Sequence, residues 1–383
     1  MTAAHKQRTL WLAADGWSLE VIDQRHLPHR FEVATLRSLE DVDRAIQSMQ
    51  VRGAPLIGVT AAYGVCLALR VDASDAALQA ACQRLAGARP TAVNLRWALA
   101  QMVGRLSSLA PAARVEAAYA LAAELCDQEA AAARAIGEQG QRIFEDLLAR
   151  KTEAGPINVL THCNAGWLAT VEWGTALAPV YLAHQRGIDL HVWVDETRPR
   201  NQGAALTAWE LLQAKVPHTV IADNAGGHLM QHGLVDVCLT GSDRTTRRGD
   251  VCNKIGTYLK ALAAHDNGVP FYAAVPLSTI DWTLADGVKE IPIEERDPRE
   301  VTEITGRLPD GAIGTVKLTP EGSPASNYGF DVTPARLITG IITELGICKA
   351  SEEALWAMMP HSPEAGPTTP SPETDRDARF GPP

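Results

Sequence analysis

The chain lacks the cysteine spacing of a disulfide framework or a zinc site. It has 383 residues and seven cysteines, an odd number that is widely scattered and contains no C-x-x-C pair. This pattern predicts a reducing compartment and no metal site. Most of the cysteines lie in apolar or alanine-rich sequence, which is typical of buried packing residues. Only Cys163 and Cys252 lie in polar, loop-like contexts.

The chain also lacks an apolar signal segment at its amino terminus, and no stretch approaches the roughly 18 apolar residues that cross a membrane. We therefore expect a cytoplasmic protein with no membrane partner. The formal net charge is -10 at pH 7. An acidic surface argues against nucleic acid as the main partner, although a local basic pocket can still hold a phosphate.

Nucleotide-binding motifs are missing as well. No G-x-G-x-x-G follows the first strand of the predicted sheet, and no G-x-x-x-x-G-K-[ST] occurs anywhere in the chain. These absences remove the usual sequence signals for a dinucleotide or a nucleoside triphosphate. We expect the sheet to bind a different kind of ligand.

The sequence changes character near residue 150. Residues 1–150 open with two short strands, Thr9 to Trp11 and Leu19 to Ile22, and continue as alanine-rich, mostly helical sequence. Residues 155–350 alternate strands with helices, which predicts an α/β fold with a Rossmann-like, doubly wound parallel sheet. Residues 360–383 are Pro-rich and polar, which is typical of a disordered tail. We therefore expect two domains and a tail.

Polar clusters follow four consecutive strands of the predicted sheet, at the ends where parallel sheets bind ligands. The clusters are Thr161 to Gly166, Asp195 to Gly203, Asp223 to Gly227 and Gly241 to Lys254. Cys163 stands in the first cluster, before a helix that is predicted from about Trp167 to Arg186. The field of a helix N-terminus favours a thiolate and a phosphate alike. The alternative is that Cys163 is one more buried cysteine.

Asp243 and Lys254, in the fourth cluster, are candidates for chemical roles. A carboxyl at a strand end among apolar side chains can have its pKa raised enough to act as a general acid near neutrality. The alternative is that Asp243 caps the next segment or pairs with Arg244. Asn253 and Lys254 are predicted to open a helix that runs to about Ala264, where their donors and the free helix amides suit an anion.

The remaining charged residues of these clusters are interpreted as structural. Asp195, Glu196 and Arg198 are expected to form an ion-pair cluster, and Arg247 and Arg248 are expected to be solvated.

The helical half contributes two segments that are typical of phosphate-binding turns. In the first, Arg52 precedes Gly53 and Ala54, and a helix can begin at Pro55. An arginine beside free helix amides suits a phosphoryl group. In the second, Arg89 precedes a proline. Each signal is weak alone, but a substrate held between the two halves of the chain would bring them together.

Nine motifs stand in order along the chain. They are Arg52-Gly-Ala-Pro, Arg89-Pro-Thr-Ala-Val-Asn-Leu, Thr161-His-Cys-Asn-Ala-Gly, Asp195-Glu-Thr-Arg-Pro with Gln202-Gly, Gly241-Ser-Asp-Arg, Gly249-Asp-Val-Cys-Asn-Lys-Ile-Gly-Thr-Tyr, Pro276-Leu-Ser-Thr-Ile-Asp, Ile291-Pro-Ile-Glu-Glu-Arg-Asp and Phe330-Asp-Val-Thr-Pro. Through them the chain closely resembles the S-methyl-5-thioribose-1-phosphate isomerases of methionine salvage, from about Trp11 to Gly346. The wider family includes the regulatory subunits of translation initiation factor 2B and isomerases of related ribose phosphates.

The resemblance implies an aldose-to-ketose isomerisation of 5-methylthioribose 1-phosphate to 5-methylthioribulose 1-phosphate by a homodimer that needs no metal or organic cofactor. It also implies that Asp243 is the proton donor and that Cys163 transfers a proton or stabilises the transition state. The substrate-binding positions of the family fall on Arg52, Gly53, Ala54, Arg89, Gln202, Asn253 and Lys254.

This chemistry is consistent with the roles inferred from the residues. Phosphorylation at O1 locks the sugar as a cyclic acetal, so the ring must open before hydrogen can move between C1 and C2. Asp243 would supply the proton for ring opening, while Cys163, in a water-poor site, would act at C2 or stabilise charge there. An enediolate-like species and a hydride shift both stay open.

The chain departs from the family's pattern in four places. These are Leu56, Arg96, Trp167 and Glu172-Trp173. Trp167 is expected to lie near enough to alter the pocket for the C5 substituent, which leaves open a sister isomerase that acts on 5-deoxyribose 1-phosphate or ribose 1,5-bisphosphate. A second alternative is a noncatalytic binding subunit like those of initiation factor 2B, which would have no need to keep Cys163 and Asp243 together.

Overall fold

In the computed structural model, which describes residues 8–89, 91–151 and 154–359, the chain opens with a three-stranded antiparallel sheet. Its strands are β1 (Leu10–Leu12), β2 (Leu19–Ile22) and β3 (Val33–Leu36). The first two confirm the predicted strand-rich opening. The sequence does not predict β3, because it is short and only its last residue is buried. The predicted tail, residues 360–383, lies outside the described residues.

Five helices follow and confirm the helical character of this half. They are α1 (Leu39–Gln47), α2 (Ala54–Val71), α3 (Asp75–Ala88), α4 (Val93–Leu106) and α5 (Pro111–Arg150). α1 begins at a capping box, in which the side chains of Ser38 and Asp41 each accept from the other's backbone N–H. α5 has Pro111 in its first turn, where a missing amide proton costs no helical hydrogen bond.

The expectation that no stretch is long and apolar enough to cross a membrane is wrong for α2. Its 18 residues have a mean hydropathy of 1.6, and 83% of them are buried inside the protein. A helix that is apolar on all sides is buried either in a protein core or in a membrane. Here α1, α3, α4 and α5 pack around α2, so the protein itself covers the apolar surface.

The second half alternates strands and helices. Its strands are β4 (Ile157–Thr161), β5 (Leu190–Asp195), β6 (His218–Ile221), β7 (Val237–Thr240), β8 (Arg244–Thr246), β9 (Val251–Lys254), β10 (Phe271–Ala274), β11 (Ile280–Asp281), β12 (Glu303–Arg307), β13 (Ile313–Lys317), β14 (Phe330–Thr333), β15 (Gly340–Thr343) and β16 (Gly346–Cys348). Its helices are α6 (Leu177–Gln185), α7 (Ala208–Gln213), α8 (Ala225–Gln231), α9 (Thr257–Asp266), α10 (Gly287–Glu290), α11 (Arg299–Thr302) and α12 (Glu352–Met358).

Seven of these strands form one sheet in the order β16-β15-β10-β7-β4-β5-β6. Every neighbouring pair is parallel except β15 and β16. The chain winds outward from β4 in both directions, which confirms the predicted Rossmann-like, doubly wound architecture. The winding direction reverses between β4 and β7, and a sheet of this kind binds its ligand in the crevice at that point.

A four-stranded sheet, in the order β11-β8-β9-β14, corrects one prediction. The helix predicted from Asn253 begins only at Thr257, and Asn253 and Lys254 lie on β9. All four residues of β9 are buried, and the strand is paired on both sides by β8 and β14. This tertiary pairing overrides the local pattern. Gly256, at φ +102°, then leads the chain into α9.

The helix predicted from Trp167 to Arg186 is wrong in its first half. The structure has one 3-10 turn at Trp167–Ala169, and α6 begins at Leu177. Trp173 and Gly174 adopt φ values of +67° and +83°, which a right-handed helix does not accommodate. No helix N-terminus therefore points at Cys163 from this segment.

The helical half contacts the sheet half mainly through α5, which packs on both α2 and α6. Gly137 and Gly140 allow this close approach, because a β-carbon at either position would overlap α6 at Ala178 or Pro179. The packing places the start of α2 beside the carboxyl edge of the sheet, where Gly53 meets Ala169.

Candidate active site

All nine residues that the sequence singled out for the site line one cavity, at the switch point between β4 and β7. They are Arg52, Gly53, Ala54, Arg89, Cys163, Gln202, Asp243, Asn253 and Lys254. The cavity volume is about 50 Å³, smaller than the roughly 300–1,000 Å³ of typical small-molecule sites. The chemical role of each residue stays a prediction.

The start of α2 presents free backbone amides to the cavity. Gly53 caps this helix at φ +95°, and a β-carbon there would overlap the backbone of Ala169. Only glycine permits this approach without movement. The first four amides of a helix have no partner within it and carry the positive end of its dipole. The start of α2 is therefore suited to an anion.

Arg52 is held rigidly beside that helix start. It is buried, its Nε donates to Gln24 Oε1 at 2.8 Å, and its two terminal nitrogens donate to the carbonyl and the side-chain oxygen of Asn164. Burial lowers the pKa of the guanidinium, and the nearby Cys163 and Glu210 oppose that shift. The guanidinium is thus oriented before any ligand arrives.

Cys163 occupies a strained position directly after β4. Its φ is +67°, an unusual value for a residue with a side chain. Its N–H donates to Thr197 Oγ1 at 2.8 Å, and its carbonyl accepts from Thr207 Oγ1 at 2.7 Å. The thiol lies 3.7 Å from Gln202 Oε1. Two hydroxyls and the turn between them hold the thiol at the cavity wall.

The expectation that a following helix favours a thiolate at Cys163 does not hold for the free protein. Burial raises the pKa of this thiol, and the charges of Lys254 and Arg52 only partly oppose the shift. No helix N-terminus follows the residue to offset the cost of burying an anion. The side chain is therefore a neutral thiol near pH 7.

Asp243 is half-buried and lies on the cavity wall after β7. Burial raises the pKa of its carboxyl, against the opposing charges of Lys254, Arg89 and Arg52. The alternative pairing with Arg244 is wrong, because Arg244 donates to the Thr91 carbonyl at 2.7 Å instead. Burial therefore shifts this carboxyl toward the protonated form that a general acid needs.

Two further cations face the same space. Lys254 is buried on β9, with its ammonium 4.8 Å from the centre of the Phe330 ring; burial lowers its pKa. Arg89 ends α3 and pairs with Glu294 at 3.3 Å, while its Nε has no hydrogen-bond partner in the described part of the chain. Together with Arg52 they make the cavity locally basic in an acidic protein.

Asp195, at the end of β5, has a different environment from the one predicted. Its Oδ2 lies 2.8 Å from His162 Nδ1 and 3.2 Å from Lys260 Nζ. The expected cluster with Arg198 is wrong, since Arg198 donates to the backbone carbonyl of Val301 at 2.7 Å. Asp195 is thus a structural partner, and the side chains that contact it, His162 and Lys260, lie far from it in the sequence.

One group of side chains has the spacing of metal ligands. Ligand atoms of His162, Asp195 and Asp223 lie within 4.8 Å of one another. Lys260 contacts the Asp195 carboxylate and the Asp223 carbonyl oxygen. The lysine ammonium thus already supplies positive charge where a cation would bind.

Four other residues that the sequence singled out lie outside the cavity lining. Trp167 lies outside the lining of the cavity and packs on Trp209, with ring centres 6.0 Å apart. Cys252 is buried on β9 rather than in a polar loop. Of the other departures, Leu56 lies in the core and Arg96 at the surface. The apolar lining consists of Met49, Ala54, Pro55, Ala165, Ala169, Pro276 and Phe330.

Residues 50–350 match the model of the initiation factor 2 subunit family, which is most of the chain. The chain belongs to the initiation factor 2 subunit family. It is 63% identical over 353 residues to a methylthioribose-1-phosphate isomerase of Paramagnetospirillum magneticum, over 92% of this chain and 97% of the relative. This confirms the resemblance found in the nine motifs.

Solved structures in the initiation factor 2 subunit family have the same fold. The crystal structure of 5-methylthioribose 1-phosphate isomerase from Pyrococcus horikoshii OT3 is 37% identical, with a TM-score of 0.78 over 93% of this chain and 96% of that one. The structure of translation initiation factor eIF-2B, subunit delta, from A. fulgidus is 35% identical, with a TM-score of 0.75 over 92% and 99%. The family thus contains proteins named as isomerases and as factor subunits on one fold.

Sequence reasoning missed the residues that support the cavity wall, among them Gln24, Thr197, Thr207 and Glu210. Glu210 had a usable signal, since it is a lone carboxylate in the apolar helix that follows β5. Lys, Glu, Arg and Asp are almost never fully buried unless paired. The threonines had none, because hydroxyl residues are common in turns of every kind.

Proposed function

We propose that the chain is an isomerase that converts 5-methylthioribose 1-phosphate to 5-methylthioribulose 1-phosphate. The observation that carries the proposal is that Cys163 and Asp243 line one cavity together with three cations and the start of α2. The 63% identity to a methylthioribose-1-phosphate isomerase supports the same substrate. A binding subunit has no need for this thiol and carboxyl in one cavity.

The phosphate binds at the basic end of the cavity. The free amides at Gly53 and Ala54 and the oriented guanidinium of Arg52 suit a phosphoryl dianion. Arg89 and Lys254 add positive charge, and Gln202 and Asn253 offer hydrogen bonds to sugar hydroxyls. These contacts hold the phosphate on O1 while the ring opens, since its loss would end the reaction.

Asp243 opens the ring. Because burial raises its pKa, more of this carboxyl keeps its proton near neutrality than an exposed aspartate would. The proton passes to the ring oxygen as the bond between that oxygen and C1 breaks, which leaves a hydroxyl on C4. Asp243 becomes a carboxylate, and the charges of Lys254, Arg89 and Arg52 stabilise it.

Ring opening leaves C1 doubly bonded to the phosphate-bearing oxygen. One hydrogen then moves from C2 to C1, and the C2 hydroxyl returns its proton to the Asp243 carboxylate as the C2 ketone forms. C2 is oxidised as C1 is reduced, so no external oxidant or reductant is required. Cys163 lies at the wall of this buried space, where it transfers a proton or stabilises charge at C2.

The proposal includes a homodimer, a cytoplasmic location, and no need for a metal or organic cofactor. It also includes a helical domain over residues 1–150 and an α/β domain over residues 155–350. Gel filtration with light scattering tests the dimer, and activity after exhaustive chelation tests the metal independence. A monomer would contradict the proposed dimer alone. Loss of activity on chelation that Zn²⁺ or Mg²⁺ restores would contradict the proposed metal independence alone.

The test is turnover of 5-methylthioribose 1-phosphate beside 5-deoxyribose 1-phosphate and ribose 1,5-bisphosphate by wild type, Cys163→Ser and Asp243→Asn. We expect the highest kcat/KM with the first substrate and losses of about 10²-fold or more in both variants. Cys252→Ser is the matched control, because Cys252 is buried nearby on β9 but does not line the cavity. A preference for another sugar would indicate a sister isomerase. Inactivity of the wild type on all three would indicate a binding subunit.

A further inference from the structure

Glu210, on α7, is a fully buried carboxylate that receives four hydrogen bonds. Its Oε1 accepts from Asn164 Nδ2 at 2.8 Å and from the Leu168 N–H at 3.1 Å. Its Oε2 accepts from the Trp167 N–H at 2.8 Å and from the Tyr181 hydroxyl at 2.7 Å. Burial raises the pKa of this carboxyl, and the hydrogen bonds from Asn164 and Tyr181 oppose the shift.

The Glu210 carboxylate determines which way the Asn164 amide points. The Asn164 NH₂ group donates to Glu210 and to Thr207 Oγ1, the latter at 3.1 Å. Its carbonyl oxygen therefore faces the other way and accepts from Arg52. A flipped amide would place an acceptor against the carboxylate and donors against the guanidinium, so this orientation is strongly favoured.

The same carboxylate holds the turn that carries the thiol. Glu210 receives the backbone N–H groups of Trp167 and Leu168, which close the turn that begins at Cys163. Gly166 lies so close that a β-carbon there would overlap the carboxylate. This contact gives a physical reason for the glycine in the motif Thr161-His-Cys-Asn-Ala-Gly.

We propose that Glu210 is a positioning residue of the isomerase, which orients Arg52 through Asn164 and holds the turn of Cys163. It does not line the cavity, so it acts through these neighbours and not on the substrate. The inference rests on the proposed function, because the groups it positions are the ones assigned to the phosphate and to C2. Supporting hydrogen bonds of this kind are needed to hold reacting groups within a fraction of an ångström.

The test is a double-mutant cycle with Glu210→Gln and Asn164→Asp. Glu210→Gln replaces one acceptor oxygen by an NH₂ group that faces donors. We expect kcat/KM to fall by about 10- to 100-fold, with a rise in KM because Arg52 loses its orientation. In the double variant the new amide at 210 donates to the new carboxylate at 164, whose other oxygen still accepts from Arg52. We expect this variant to regain about fivefold or more over Glu210→Gln.

Tyr181→Phe is the matched control, because it removes one donor to Glu210 without touching Asn164. We expect its Tm to fall while kcat and KM stay within about threefold of wild type. If Glu210→Gln shows the same pattern as this control, or if the double variant regains nothing, the inference is overturned.

Two further measurements keep the outcomes separate. If Glu210→Gln does not fold, the pH profile of Asn164→Asp tests the inference. The carboxyls at 164 and 210 then face each other and must share a proton, so kcat/KM should fall as the pH rises and that proton is lost. A pH profile like that of wild type would overturn the inference.

If wild type turns over none of the sugars, the proposed function fails instead. Calorimetric titration with inorganic phosphate then tests whether Glu210 positions Arg52. Equal phosphate affinities of wild type and Glu210→Gln would overturn the positioning role.

Discussion

Two aspartates near the ends of strands in the same sheet have opposite environments. Asp195 ends β5, is fully buried, and contacts His162 at 2.8 Å and Lys260 at 3.2 Å. Asp243 follows β7, is half-buried at the cavity wall, and has its pKa raised by burial. The first carboxyl contacts Lys260 and holds distant elements together, whereas burial shifts the second toward its protonated form.

The difference shows that a strand end places a carboxyl near the ligand crevice but does not decide its chemistry. Cations that hydrogen-bond a carboxylate stabilise its charge, whereas burial without such a bond favours the acid. His162 and Lys260 lie 33 and 65 residues from Asp195 in sequence. The role of each aspartate therefore depends on residues that only the fold brings together.

The largest effect is expected for Asp243→Asn, which removes the proposed acid and leaves the shape unchanged. We expect kcat/KM to fall by about 10³-fold, within the range of general-acid catalysis. Steady-state assays with 5-methylthioribose 1-phosphate measure it, and circular dichroism checks the fold. A loss below about tenfold would mean that Asp243, like Asp195, is structural.

Asp195→Asn should affect stability rather than chemistry. Removing one partner of a buried ion pair leaves an uncompensated charge and costs about 3–5 kcal/mol of unfolding free energy. Urea denaturation measures it. Asp236→Asn is the control, since Asp236 is half-buried, accepts from the Asn158 N–H and pairs with Lys151, and we expect it to lose about 1 kcal/mol. Equal losses of unfolding free energy in Asp195→Asn and Asp236→Asn would contradict the structural role of Asp195.

The pH dependence of activity should follow the acid form of Asp243. Because burial raises its pKa, kcat/KM should fall about tenfold per pH unit once the pH exceeds that pKa. Assays at saturating substrate report the pKa in the enzyme–substrate complex, and assays at low substrate report the pKa in the free enzyme. A flat profile up to the alkaline limit of folding would argue against a protonated Asp243.

The same shift predicts the pH dependence of stability. A folded pKa above the unfolded value means that the folded state binds the proton more tightly. This contribution to stability is complete below the unfolded pKa and is lost as the pH rises through the folded pKa. Wild type should thus lose stability across that window relative to Asp243→Asn, as measured by urea midpoints. Parallel curves for the two proteins would show that the carboxyl is not perturbed.

The smallest effect is expected at Trp167, which follows the strand end but packs on Trp209 outside the cavity. Trp167→Leu should cost about 1–3 kcal/mol of stability. The ratio of kcat/KM for 5-methylthioribose 1-phosphate to that for 5-deoxyribose 1-phosphate should stay within about twofold. Met49→Ala, in the cavity lining, is the control that should change this ratio. A larger change of this ratio in Trp167→Leu would show that Trp167 influences the pocket for the C5 substituent.

Much of the fold and many of the site residues could be predicted from the sequence. The features that could not be predicted depend on contacts between residues that are distant in sequence. The alternation after residue 155 predicts the parallel sheet because buried strands and amphipathic helices have different periodicities. The sequence predicts that Asn253 and Lys254 open a helix, whereas they lie on β9, a strand that forms only by pairing with β8 and β14. The supporting Glu210 was missed because the donors that neutralise it are distant in sequence.

By itself, the sequence determined the α/β class, the family, and nine of the residues that line the cavity, because periodicity and short motifs are properties of neighbouring residues. Only the tertiary structure decided that burial raises the pKa of the Cys163 thiol, that Asp195 pairs with Lys260 and that Asp243 faces the cavity. The physical reason is that burial and charge partners determine protonation, and both arise from contacts between segments far apart in the chain.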